Sequence, residues 1–223
     1  MKTNEVLQKD VQDAIKWEPL LNAAEIGVTA KDGVITLTGI VDCNAKKLEA
    51  ENAAKKVVGV KALIEKIEIR FSSTGQKRNS EVATEVLKAL KDNWKVPGEK
   101  IKVKVEDGWV TLEGELPWHY QKEAARNSVN YLMGVKGVTN NITIKSEKND
   151  DIERDKIECA LARNWSIHFR DIKVRVSGNK VTLSGIVSSL FDKEEAERIA
   201  WNAPGVWSVD NELIIECDYS FVD

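Results

Sequence analysis

His119 is the side chain of this sequence best suited to acid–base chemistry near neutral pH, and it stands between Trp118 and Tyr120 directly after Pro117. A catalytic imidazole needs a base, an orienting group or a nucleophile within hydrogen-bond reach. The sequence offers none at a readable spacing, and the other histidine, His168, lies at an unrelated position. Cys43, Cys159 and Cys217 are an odd number at scattered places, with no CxxC pair for a metal and no disulfide framework. No glycine falls in the GxGxxG or GxxxxGKS/T spacings that cradle phosphates. These patterns assign no catalytic residue, no metal ligand and no cofactor.

Bulk properties narrow the class further. With 223 residues, 42% hydrophobic and 31% charged, the chain has the composition of a folded globular protein. Its net charge of −3 argues against general nucleic-acid binding, which needs a broad basic surface to displace counterions. The charge is unevenly spread: residues 76–147 carry twelve basic against ten acidic side chains, and residues 148–223 ten against fifteen. The opening "MKTNEVLQKDVQDAIKWEPLL" has no apolar export segment, and no run reaches the length of a membrane span. The expectation is a protein without a transmembrane segment, resident in the cytoplasm, where reduced cysteines are at home.

The elements that must position any site come in threes. "GVITLTG" (33–39), "GWVTLEG" (108–114) and "NKVTLSG" (179–185) align at offsets of 75 and 71, and the same offsets hold from about Val11 to Ile69. Polar, turn-rich connectors at 72–78 and 146–151 separate the copies. Three domains are expected, at 1–71, 79–146 and 150–217.

Each copy repeats one rhythm. Apolar residues at helical spacing (Val86, Ala89, Leu90 in the middle copy) predict a first helix. Ile101, Val103 and Val105 alternate with Lys102 and Lys104, then Asp107-Gly108 turns the chain into Val110-Thr111-Leu112, a hairpin with one buried and one wet face. A second helix follows with small inward residues such as Ala125, and a third strand closes the copy. The fold class is α+β: three tandem αββαβ domains, each a three-stranded mixed sheet covered by two helices. Gly39, Gly114 and Gly185 are expected to end the second strands, and Asn140 and Asn211 (Glu65 in the first copy) to bond backbone near the third strand.

The run "IKVKVEDGWVTLEG" (101–114), followed by "GVKGVTNNI" (134–142) and matched by "VTLSG" (181–185) and "PGVWSVDNEL" (204–213), resembles the BON domain. The resemblance spans nearly the whole chain three times, in the manner of bacterial triple-BON proteins related to osmotically induced ones. It implies a non-catalytic module of stress or osmotic response that binds phospholipid surfaces. The alternative is a protein–protein scaffold.

Several residues are candidates for contact with such a partner. Pro117 aligns with Asp42 and Ser188, which cap helices well, so Trp118, His119 and Tyr120 are expected in the first turn of a helix. Trp201 and Trp207 stand where the other copies have Lys55, Asn130, Lys61 and Lys136, which fits either packing between copies or an exposed binding face. Lys102 and Lys104, with Lys173 and Arg175 in the next copy, line the wet face of first strands, as a solvated face or an anion contact. Trp94 and Trp165 end first helices and are expected at core edges.

Overall fold

The computed structural model describes residues 2–72, 77–145, 152, 154–163 and 172–216. Helix α1 (Asn4–Lys16) starts where the Thr3 hydroxyl accepts the Val6 N–H, and it buries Leu7, Val11 and Ile15, a ladder of every fourth residue. The same ladder is Val82, Val86 and Leu90 in α3 (Asn79–Asp92), and Ile157 and Leu161 in α5 (Arg154–Ala162).

Each first helix leads into an antiparallel hairpin: β1 (Ile26–Lys31) with β2 (Val34–Val41), β4 (Ile101–Glu106) with β5 (Trp109–Leu116), and β7 (Ile172–Ser177) with β8 (Lys180–Val187). Asp32-Gly33 and Asp107-Gly108 make the first two turns with φ of 52° and 85°, and 48° and 82°. Two successive positive φ values match the twist of the flanking strands, which is why Asp-Gly stands there. Second helices α2 (Asn44–Lys55), α4 (His119–Asn130) and α6 (Leu190–Trp201) cross back to β3 (Ala62–Ile69), β6 (Gly137–Ile144) and β9 (Ser208–Ile215). The strand orders are β1-β2-β3, β4-β5-β6 and β7-β8-β9, and β6 and β9 run parallel to β5 and β8. Three αββαβ repeats with mixed sheets are therefore present.

Gly39 and Gly114 do not end their strands, which run on to Val41 and Leu116. Their φ values are 142° and 156°, and a Cβ there would stand 2.1 Å from the Glu25 carbonyl oxygen and 2.3 Å from that of Lys100. Close approach of the carbonyl just before the neighbouring strand, not a strand end, is what demands glycine.

The middle core gathers the α3 ladder, Val110, Leu112 and Leu116 of β5, Ala125 and Val129 of α4, and Ile142 of β6; the third core is built from the matching elements α5 to β9, with Ala200 in place of Val129. Alanine at the centre of each second helix lets its backbone lie close to the sheet. Asn140 ties the two layers together: its Nδ2 donates to the Lys122 carbonyl at 2.9 Å, and its Oδ1 accepts the Ile142 N–H at 3.3 Å. Asn211 repeats the clasp with Lys193 and Leu213, and the Glu65 carboxylate accepts the Ile67 N–H. The backbone bonds expected of these positions are present, and in Asn140 and Asn211 they extend to the helix.

By internal packing the chain divides into two compact units, one of Met1–Gly39, Glu49–Ile67 and Asn149–Asp223, the other of Ile40–Leu48 and Glu68–Lys148.

Candidate functional site

The aromatic start of α4 comes first. Trp118 is its N-cap, in extended conformation and without a side-chain cap bond, and His119 is its first residue. Pro117 precedes the cap, so the capping position lies one residue later than the alignment of Pro117 with Asp42 and Ser188 suggested. The third repeat agrees: Ser189, not Ser188, caps α6, its hydroxyl accepting the Asp192 N–H at 3.1 Å. One extra extended residue after the second strand accounts for the shift. The rings of Trp118 and Tyr120 stack with centroids 6.4 Å apart and planes 29° apart. Trp118 and His119 are half-buried and Tyr120 is exposed. Among the described residues no group of three or more His, Cys, Asp or Glu is placed to hold a metal ion.

Lys102 and Lys104 are exposed on β4, on the sheet face turned away from the helices. That face is not a basic stripe. Lys104 Nζ lies 2.9 Å from the Glu106 carboxylate, and Lys102 stands opposite Glu113 in the β4–β5 register. Farther along, Lys145 Nζ is 3.7 Å from Glu115. Lys104 and Lys145 are paired with carboxylates and Lys102 has one opposite it in the register, and exposed charges so arranged leave little field for an anionic surface.

The tryptophans divide by burial. Trp201 is half-buried and packs against the third core, while Trp207 is 43% exposed with its backbone N–H donated to the Asn179 carbonyl at 2.9 Å. Trp94 is 88% exposed and carries the Lys95 ammonium 5.4 Å above its ring, so it is not a core edge. It lies beyond the last turn of α3, where Val96 takes the buried place instead. Trp165 lies outside the described residues. Trp17, just past α1, is 86% exposed, and Trp109, the first residue of β5, is 51% exposed.

With this architecture on the page, comparison with known proteins is direct. The BON domain family matches residues 3–70, 78–146 and 149–217. The chain belongs to the BON domain family. Over 129 residues it is 29% identical to the osmotically-inducible protein Y of Escherichia coli (strain K12), a match covering 56% of this BON chain and 64% of that protein's length. Among solved structures it is similar to the C-terminal domain of CdsD, the structural protein of the type III secretion system of Chlamydia trachomatis. One such structure shows 15% identity over 97% of this chain and all of that one, and another 17% over 96% and 94%, each with a TM-score of 0.26.

Within the BON repeats the fold brings Trp118 and Tyr120 together around His119, and puts Lys102 and Lys104 side by side. Trp201 and Trp207 share the third BON repeat but differ in burial. Trp17, Trp109 and Tyr131 are exposed aromatics that sequence reasoning missed. The signal for Trp109 was present, since alternation that buries Val110 and Leu112 must turn Trp109 outward. Among the described residues, the Lys46 ammonium holds the Asp42 carboxyl below its usual range, and Glu195 raises the Arg198 guanidinium. Both are ion pairs within a helix or at its start.

Proposed function

We propose that this chain is a non-enzymatic binding protein of three BON domains, bounded at 1–71, 79–146 and 150–217, that serves osmotic or stress response by associating with phospholipid surfaces. One observation carries the reading: indoles stand out from the BON scaffold instead of filling its cores, with Trp17, Trp94, Trp109 and Trp207 all exposed. An indole with an apolar body and one N–H suits the boundary between head groups and acyl chains. The name of the osmotically-inducible relative supports the physiological setting. The place of His119 at a helix start supports a binder over an enzyme. No helix among the described residues is long and apolar enough to cross a membrane, so the association is peripheral in this reading. That feature fits a cytoplasmic and an exported protein alike, and lends the expected cytoplasmic residence no support.

The test is co-sedimentation with vesicles of phosphatidylglycerol and phosphatidylethanolamine, together with the emission of the tryptophans. A blue shift on binding is the expected result. Protein left in the supernatant at every lipid concentration, with unchanged emission, would rule the reading out.

A second reading, a scaffold that binds other proteins, is favoured by a specific feature of the first compact unit. There Lys55 Nζ pairs with Glu194 at 2.8 Å, Lys56 sits 6.0 Å from the centroid of the Phe191 ring, and the Gly59 N–H donates to the Ser188 carbonyl at 3.2 Å. One BON repeat thus already uses the end of its second helix to grip the helix start of another. Cross-linking to a protein in place of lipid would favour this alternative.

A further inference from the structure

We propose that the edge of the third BON repeat is a binding site for a phosphate-class anion, formed by Lys173, Arg175, Arg154 and Ser184. The inference deepens the phospholipid reading and rests on it for one of two possible sources of the anion, a lipid head group; free phosphate is the other.

The site is a cleft of about 450 Å³ lined by Arg154, Lys173, Val174, Arg175, Val176 and Ser184. Lys173 and Arg175 alternate along β7 with buried Ile172 and Val174, so the strand pleat turns both cations to the same side. Arg154, the first residue of α5, also lines the cleft; Glu158 accepts its Nε–H at 2.6 Å and offsets part of its charge, so it contributes guanidinium donors more than net charge. Ser184 stands directly opposite Lys173 in the β7–β8 register, adding a hydroxyl donor.

Comparison with the other repeats shows what is particular here. At the offset of 71, Lys173 and Arg175 match Lys102 and Lys104, so the cations are kept. Their two neutralising carboxylates are not: Ser177 stands in place of Glu106, and Ser184 in place of Glu113. The first repeat has Gly27 and Thr29 where the cations would be. Thr111 opposite Lys104 already matches Thr182 opposite Arg175, so what is particular to the third repeat is Ser184 opposite Lys173 where the middle repeat has Glu113. Arg175 faces Thr182, and the nearby Asp210 is engaged by Lys180 at 2.9 Å. Glu212 stands beside Ser184 in the β8–β9 register, one strand farther from Lys173 than Glu113 is from Lys102, so the basic character of this repeat is confined to the β7 edge. Guanidinium groups bind phosphate oxygens through paired N–H donors and the ammonium adds a point charge, which is the chemistry this lining offers. The cleft is open to solvent, so binding is weak and falls with salt.

The experiment is an amide NMR titration of the full chain with sodium phosphate, against sodium chloride at equal ionic strength. Phosphate-specific shifts are expected at residues 172–177 and 184. Ser184→Glu, which restores the carboxylate of the middle repeat, should weaken the response about tenfold. Glu106→Ser with Glu113→Ser should create a new response around Lys102 and Lys104. Shifts no larger than those from chloride, or shifts that Ser184→Glu leaves intact, would overturn the site. Vesicles of phosphatidic acid distinguish the sources. Loss of both responses in Ser184→Glu assigns the site to the head group. Loss of the phosphate response with sedimentation intact keeps the site, assigns it to the free anion, and places lipid association elsewhere.

Discussion

Trp109 lies across Gly137. The two are direct partners in the parallel β5–β6 pairing, and a Cβ on Gly137 would fall 2.4 Å from Cζ3 of the indole. The missing side chain lets the six-membered ring cover the strand beside it while the rest of the indole remains in solvent. Gly137→Ala should therefore push the ring off the sheet at a cost of about 1 kcal/mol, without loss of fold. Red-shifted emission and more efficient acrylamide quenching, with Trp109→Phe identifying the signal, would register the change. Unchanged quenching would show that the ring does not rest on Gly137.

Gly114 poses a harsher constraint. Any side chain there meets the Lys100 carbonyl, and the backbone is in a region that L residues avoid. Gly114→Ala should destabilise the middle repeat by about 2–3 kcal/mol, read as a lower denaturant midpoint. Gly178→Ala is a control with positive φ of 57° but nothing within 4 Å of the added Cβ, and it should cost clearly less.

The Asn140 clasp gives a graded series. Asn140→Ala removes both the donor to Lys122 and the acceptor of the Ile142 N–H, at a cost of about 1–3 kcal/mol because those backbone groups lie in a half-buried place. Asn140→Asp keeps the acceptor but sets a carboxylate against the Lys122 carbonyl, so it should be no better than alanine near neutral pH. In the first repeat Glu65 stands at this position, and its carboxylate accepts the Ile67 N–H. Urea unfolding of the two Asn140 variants, with Asn211→Ala as the equivalent in the third repeat, checks the order.

Much of this was legible in the sequence for a physical reason: alternation and i,i+4 ladders encode burial directly, and the offsets of 75 and 71 supply each pattern three times. The neutralised face was also within reach. A two-residue Asp107-Gly108 turn sets the hairpin register, and that register puts Glu113 opposite Lys102. Trp94 was not legible, because periodicity stops where α3 stops and a loop residue has no assigned face. The cap of α4 was misplaced by one residue for a similar reason. A strand can add an extended residue before a helix with no change in the apolar pattern, so Pro117 and Trp118 compete as starts. Trp201 was read as packing between copies or as an exposed face, and its half-burial against the core of its own repeat was not foreseen.

These positions decide how membrane association should respond to substitution. Were the Lys102 and Lys104 face the docking surface, each cation near an anionic bilayer would contribute about 1 kcal/mol, and reversing both would abolish binding. Lys104 is already paired with Glu106, and Lys102 faces Glu113, so much of that attraction is cancelled within the protein. Lys102→Glu with Lys104→Glu should therefore lower vesicle affinity only about twofold at physiological salt. Trp207→Ala and Trp109→Ala remove exposed apolar surface that a bilayer interface would cover, and each should weaken binding about tenfold, nearly independent of salt. Trp201→Ala is expected to lower stability first, since its ring packs on the third core. Vesicle affinities at low and physiological salt, read alongside thermal unfolding, separate these effects. Binding abolished by the double charge reversal and untouched by Trp109→Ala and Trp207→Ala would mean that charge, not indole burial, holds the protein to the surface.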